Sequence, residues 1–273
     1  EEVGKEVLGL ERGAEVVISP GVSCGHCLQC FSGCDHYCRR YAILGEHRHG
    51  GCAELIVVPR ENVFMKPAAL SFGEVAALGI AHLTAWTMLV ERARVQVSEN
   101  VLVQGASSGI GSAAIQIGRG LGARVIAATR GQAKAQAAKN LGASEVVDTS
   151  IEDLVGRVKE LTNGAGADVV VEHIGAATWE TSVRCLAWQG RLVICGATTG
   201  AQVALNLQHL FFKSQSLLGS TMGSKAAFQK ILKHAEAGLL RPVVSEVLPM
   251  SQLKDAHARL ESGEVFGKVV LQA

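Results

Sequence analysis

The stretch Val101-Leu102-Val103-Gln104-Gly105-Ala106-Ser107-Ser108-Gly109-Ile110-Gly111 decides the fold class of this chain. Val101 to Gln104 is a short apolar run that reads as a buried strand. A glycine turn follows it, and then an amphipathic helix from about Ser112 to Leu121. Strand, glycine turn and helix in that order are the context in which a glycine trio signals dinucleotide binding. Gly109 and Gly111 let backbone approach a pyrophosphate, whose charge is met by free N–H groups and the positive end of the helix. The turn is not a strict G-x-G-x-x-G, because Ala106 and Ser108 hold its first two glycine positions. Ser108, Gly109, Ile110 and Gly111 are the candidate contacts of this turn.

Working outward, the same unit repeats. Short apolar strands are expected at Val125 to Ala128, Glu145 to Val147, Val169 to Glu172, Leu192 to Cys195 and Ser216 to Gly219, with helical spacing between them, as in Ile151, Leu154, Val155, Val158 and Leu161. Six such strands imply an α/β fold with a doubly wound parallel sheet. Beyond Gly223 the pattern gives a helix (Ala226 to Ala237), a strand (Val243 to Leu248), a helix (Leu253 to Leu260) and a last strand (Lys268 to Leu271). Upstream, Val75, Leu78, Leu83 and the run Thr84 to Val90 read as helix. Before Pro67 the β-branched runs Val16-Val17-Ile18 and Leu55 to Val58 flank a Cys/Gly/His-rich insert, a loop-rich β region.

The end of the second strand bears on coenzyme choice. NAD-selective sites usually carry an acid there to bind the ribose hydroxyls. This chain has Thr129-Arg130, with Lys134 one turn on. A hydroxyl and a guanidinium suit a 2′-phosphate, which favours NADP(H) over NAD(H).

Five of the eight cysteines fall between Cys24 and Cys38, and Cys24, Cys27, Cys30 and Cys38 are spaced C-x2-C-x2-C-x7-C. Thiolates so crowded can converge on one tetrahedral ion, and four sulfurs leave no open position for water or substrate, so the expected metal is a structural zinc. Cys34 is within reach of the same ion and could replace Cys30 or Cys38. His26 and His36 are expected to be solvated, and Cys52, Cys185 and Cys195 to be packing residues.

Net charge is +1 without long basic runs, which excludes the electrostatic footprint of a nucleic-acid or anionic-membrane binder. No unbroken apolar stretch of roughly 18 residues is expected to span a membrane, and Glu1-Glu2-Val3-Gly4 is no signal peptide. The expected location is cytoplasmic. The chain opens abruptly and without Met, as a fragment or processed form would.

With these features in hand, the chain resembles the medium-chain, zinc-containing alcohol dehydrogenase and quinone reductase superfamily. The resemblance covers essentially the whole chain: the loop Cys24 to Cys38, Gly45-Glu46-His47-Arg48-His49-Gly50, Leu83-Thr84-Ala85-Trp86, the turn Gly105 to Gly111, and Phe266-Gly267-Lys268-Val269-Val270-Leu271. It implies a Rossmann domain (84–223) inserted in a GroES-like catalytic domain built from 1–83 and 224–273. It further implies Thr84 facing the nicotinamide, and Ile174, Gly175, Gly196, Ser220 and Thr221 along the cofactor path. Full-length members start roughly 70 to 80 residues before Glu1, a length in keeping with ordinary domain sizes, and that segment carries two catalytic zinc ligands in the alcohol dehydrogenases. The third is a Cys at the position of Ile80, which cannot bind zinc; His82, Glu46, His47 and His49 are the nearby alternatives, each better read as a hydrogen-bonded loop or helix residue. The implied function is NAD(P)H-dependent hydride transfer to or from a small carbonyl, alcohol or activated enone. The alternatives are a quinone or enone reductase without catalytic zinc, and a nucleotide-binding homologue without turnover. Partners would be a small-molecule substrate and further copies in a dimer or tetramer.

Overall fold

The computed structural model describes residues 2–273; Glu1, part of the opening read for a signal peptide, lies outside them. The N-terminal part holds four short strands, β1 (Val16–Ile18), β2 (Gly21–Val22), β3 (Ala42–Ile43) and β4 (Val63–Met65), a one-turn α-helix, α1 (Leu28–Phe31), and two 3-10 turns, Asp35–Tyr37 and Arg60–Asn62. β1 pairs antiparallel with β4, and β2 with β3. Asn62 ties these layers together, its buried side-chain amide donating to the carbonyls of Ser19 and Gly21 at 2.7 Å each.

Helix α2 (Phe72–Trp86) starts at a capping box. Ser71 Oγ accepts from Glu74 N–H, and the Glu74 carboxylate accepts from Ser71 N–H at 2.9 Å. The helix continues as a π-turn through Arg92, with Thr87 Oγ1 donating to the Leu83 carbonyl at 3.0 Å. The boundary expected at 83/84 falls inside α2, which packs on both halves of the molecule. The stretch Phe72–Arg92 also corrects the reading that nothing is long and apolar enough to span a membrane. By length and composition it is, but 61% of its apolar window is buried, and it is the core helix of the fold.

Six parallel strands then alternate with helices: β5 (Asn100–Val103), α3 (Gly109–Gly120), β6 (Arg124–Thr129), α4 (Gln132–Leu141), β7 (Glu145–Asp148), α5 (Leu154–Leu161), β8 (Ala167–Glu172), α6 (Ala176–Cys185), β9 (Leu186–Ile194), α7 (Leu207–Phe212) and β10 (Ser216–Gly219). Their order in the sheet is β10-β9-β8-β5-β6-β7. Alternate residues of one strand feed opposite faces: Val101 and Val103 pack towards α2 and α3, and Leu102 towards the side of α5 and α6, all fully buried. Side chains of this size stabilise by roughly 1.5–3 kcal/mol each on full burial, which makes the two-faced sheet the main source of stability. Strand succession reverses between β5 and β8, and this switch point opens a crevice at their C-terminal ends.

The chain closes with α8 (Lys225–Glu236), β11 (Val244–Pro249), α9 (Leu253–Ser262) and β12 (Lys268–Gln272); β11 and β12 pair in parallel and lie against α2. Three further expectations fail. Leu55 to Val58 forms no strand, and Leu55 and Val57 are 67% and 97% exposed; β-branched composition does not make a strand without a partner to take its backbone groups. Cys52, in the same exposed stretch, packs against no core. His36 is buried rather than solvated, because the cysteine loop folds its ring inward beside Tyr37.

Candidate functional site: a dinucleotide cleft and a cysteine cage

The cleft at the switch point, ≈ 660 Å³, is built around the glycine turn. Gly105 has φ +55°, a left-handed conformation that turns the chain from β5 towards α3. Ser108 caps α3, its Oγ accepting from Gly111 N–H at 2.9 Å. Gly111 lies so close beneath the turn that a Cβ there would stand 2.3 Å from the Gly105 carbonyl oxygen. The first N–H groups of α3 are thereby presented to the cleft.

His173, just past β8, lines the cleft beside this turn. Its Nε2 lies 3.1 Å from the Gln104 carbonyl oxygen and 3.1 Å from Ser108 Oγ. The carbonyl only accepts, so Nε2 carries the proton. Burial holds the ring's pKa below the usual histidine value. Behind it, the fully buried Glu172 carboxylate accepts from Ile174 N–H at 2.7 Å, Gly175 N–H at 3.2 Å and the hydroxyls of Thr178 and Ser182. Ser182 also accepts from the Gln104 side chain at 3.0 Å, so one hydrogen-bonded network fixes the ends of both β5 and β8.

At the other end of the cleft stand Thr129, Arg130 and Lys134. Thr129 lines the cleft, and its Oγ1 is buried without a hydrogen-bond partner. Arg130 is exposed. Burial first, and then the Arg130 charge, lower the pKa of Lys134, whose ammonium donates to the Gly263 carbonyl. The C-terminal segment forms the remaining wall. Gly267 N–H donates to Ser107 O at 2.8 Å, and the exposed Lys268 passes so close to Gly109 that a Cβ on that glycine would lie 2.6 Å from Lys268 Cδ.

The cleft thus gathers Ser108, Gly109, Thr129, Arg130, Lys134 and Ile174. Gly111 and Gly175 are buried behind its wall, Ile110 packs on the core, and Gly196 stands behind His173, where a Cβ would lie 2.9 Å from the His173 carbonyl oxygen. Thr84 is buried in α2 and does not line the cleft. Ser220 and Thr221 lie in a separate crevice with Tyr37 and Arg92, because β10 is the far edge of the sheet. Sequence reasoning missed His173 and Lys268. The first shows only as a lone histidine ending an apolar run, the second as a basic residue in the terminal motif.

The four cysteines Cys24, Cys27, Cys30 and Cys38 form a second site, their sulfurs all within 4.8 Å of one another. The Cys27–Cys30 and Cys24–Cys30 separations are 3.6 and 3.9 Å. A tetrahedron with Zn–S bonds of about 2.3 Å has edges of about 3.8 Å, so the cage fits zinc. Cys34 is outside it, which resolves the choice among the five. The His26 backbone N–H is the main cause that lowers the Cys24 thiol to about 5, towards the thiolate that a metal needs. The cage is anchored to α8. Asp35 Oδ2 pairs with Lys225 Nζ at 3.0 Å, Oδ1 accepts from Lys225 N–H at 3.0 Å, and Lys225 Nζ donates to Ser23 Oγ at 2.9 Å.

Among the described residues no other group of three or more ligand side chains converges. Ile80 is half-exposed on α2. His82 is buried with both ring nitrogens unpartnered, and burial lowers it to about 4. Glu46, His47 and His49 lie on an exposed loop, where His47 Nδ1 accepts from Ile43 N–H at 3.2 Å.

Residues 1–68 match the alcohol dehydrogenase GroES-like domain, and residues 109–237 match the zinc-binding dehydrogenase family. An NAD-dependent alcohol dehydrogenase of Sulfurisphaera tokodaii is 32% identical over 273 residues, 99% of this chain and 78% of its own. The chain belongs to the medium-chain dehydrogenase/reductase superfamily. A solved NAD-dependent alcohol dehydrogenase is 47% identical to this dehydrogenase/reductase chain, with TM-score 0.96 over 99% of it and 79% of the other chain. Human quinone oxidoreductase is 28% identical over 81% of the chain and 69% of its own. The chain is an alcohol dehydrogenase-like oxidoreductase for small-molecule substrates, with a nicotinamide coenzyme and a structural zinc site.

Proposed function

We propose that this dehydrogenase/reductase uses NADP(H) to interconvert a small alcohol and its carbonyl, or to reduce an activated C=C bond. The bound nicotinamide supplies the hydride chemistry. The α3 N-terminus and Lys268 hold the pyrophosphate, His173 keeps Ser108 in place beneath it, and Arg130 and Lys134 take the 2′-phosphate that a carboxylate in their place would repel. The observation that carries the coenzyme choice is the pair of basic side chains beside the unpartnered Thr129 hydroxyl, with no acid among the cleft-lining residues. Ile80 favours a second reading, the zinc-independent reduction of enones or quinones, because its side chain offers no metal a ligand. The exposed edge strand β10 is the surface we assign to pairing between copies.

The test is steady-state turnover by the protein with whatever residues its gene encodes before Glu1. NADPH oxidation is followed with aldehydes, enones and quinones, and NADP⁺ reduction with alcohols. Turnover with NADP(H) well above that with NAD(H) is expected. No turnover despite tight NADPH binding would leave a nucleotide-binding protein, and preference for NADH would overturn the coenzyme assignment.

A further inference from the structure

Helix α3 begins at the dinucleotide cleft and ends elsewhere. At about 1.5 Å rise per residue its far end is roughly 18 Å from the glycine turn. There a second cavity of ≈ 440 Å³ opens between the last turns of α3 and α4, Trp86 of α2, and the 238–241 loop after α8. That volume falls in the ~300–1,000 Å³ range of small-molecule sites.

Its walls are apolar with one charge sign. Trp86, Leu121, Leu141 and Leu239 line it with two guanidiniums, Arg119 and Arg241, and no carboxylate. The frame is fixed by hydrogen bonds. The Gln116 side chain donates to the Arg241 carbonyl at 2.9 Å and accepts from Arg241 N–H at 2.8 Å, locking α3 to the loop. The Trp86 ring meets His234 edge-on, with centroids 5.1 Å apart.

Arg119 is seated by a missing side chain. A Cβ on Gly142, the left-handed residue that ends α4, would stand 2.6 Å from Arg119 Cδ and 2.9 Å from Nη1. Arg241 uses Nε to bond Glu74 at 2.7 Å, which leaves its other N–H groups free for a ligand. The Arg119 guanidinium has neither an ion-pair partner nor a hydrogen bond among the described residues. An indole and leucines beside the unpaired Arg119 guanidinium and the remaining N–H groups of Arg241 complement a flat aromatic body carrying a negative group. Burial of the ring supplies affinity, and the planar guanidinium selects a carboxylate or sulfonate.

We propose that this cavity is a second ligand site, separate from the dinucleotide cleft, for an aromatic anion. The probe is 1-anilinonaphthalene-8-sulfonate, titrated by fluorescence with NADP⁺ saturating throughout. One saturable site per chain is expected. Its affinity should fall roughly tenfold or more in Arg119→Gln, the scale of one charge-assisted hydrogen bond. It should be lost in Leu239→Asp, which puts a carboxylate in the cavity mouth. The uncharged N-phenyl-1-naphthylamine should bind about tenfold more weakly. Neither substituted residue lines the dinucleotide cleft, so unchanged Tm and NADP⁺ affinity establish that each variant is folded; if Leu239→Asp lowers Tm, Arg119→Gln decides. Displacement of the probe by NADP⁺, unchanged affinity in Arg119→Gln, or equal binding of the uncharged analogue overturns the proposal. A chain that failed to bind NADP⁺ would refute the cleft assignment alone, because the variants still report on this cavity.

Discussion

Gly111→Ala is the perturbation that presses hardest on the glycine turn. The added Cβ would stand 2.3 Å from the Gly105 carbonyl oxygen and 2.7 and 2.8 Å from Ala106 backbone atoms. All three are backbone, so no side chain can swing aside, and α3 must retreat by about 1 Å to restore ordinary contact. Overpacking of a close contact costs about 1–3 kcal/mol, and rigid backbone puts this site at the upper end. Against that, Ala in a helix gains about 1 kcal/mol over Gly. The net expectation is a loss of about 2 kcal/mol in urea unfolding. NADP⁺ affinity should fall as well, because the retreating N–H groups leave the pyrophosphate position. Gly120→Ala is the control: same helix and same substitution, with nothing within 4 Å of the new Cβ. It should stabilise by up to about 1 kcal/mol and leave NADP⁺ binding alone. If both variants unfold at the same urea concentration and bind NADP⁺ equally, the close packing of α3 beneath the turn is refuted.

The cysteine cage predicts about one zinc per chain by elemental analysis. Chelation or Cys27→Ser should lower Tm, and two zinc ions per chain would contradict the reading of Ile80. For His82, burial places the folded pKa at about 4, below the usual value. A depressed histidine pKa gives stability that is complete above about pH 6.5 and is lost as pH falls towards 4, when the unfolded chain takes up the proton first. Between pH 7 and pH 5 this amounts to about 2 kcal/mol, and His82→Leu should flatten the urea-derived stability profile across that window. An unchanged slope in that variant would mean the ring is not buried neutral.

The parallel sheet was legible because strands buried on both faces read as unbroken apolar runs, as in Val169 to Val171. The cysteine cage was legible from spacing alone, although only the fold separates Cys34 from its four neighbours. Leu55 to Val58 was misread because β-propensity describes a residue's fit to a sheet, and no strand lies alongside it here. His173 and Lys268 escaped because their meaning is spatial: one stands across the switch point from Ser108, the other reaches the turn from more than 150 positions along the chain. Thr84, Ser220 and Thr221, carried by resemblance, lie outside the cleft in this structure.

The central claim is that the cleft takes a dinucleotide whose 2′-phosphate rests on Arg130. Calorimetric titration of NADPH and NADH into the wild type and into Arg130→Ala tests it most directly. Tighter binding of NADPH than NADH is expected, with the substitution weakening NADPH by about tenfold or more and NADH by little. Equal weakening of both, or tighter binding of NADH by the wild type, would contradict it.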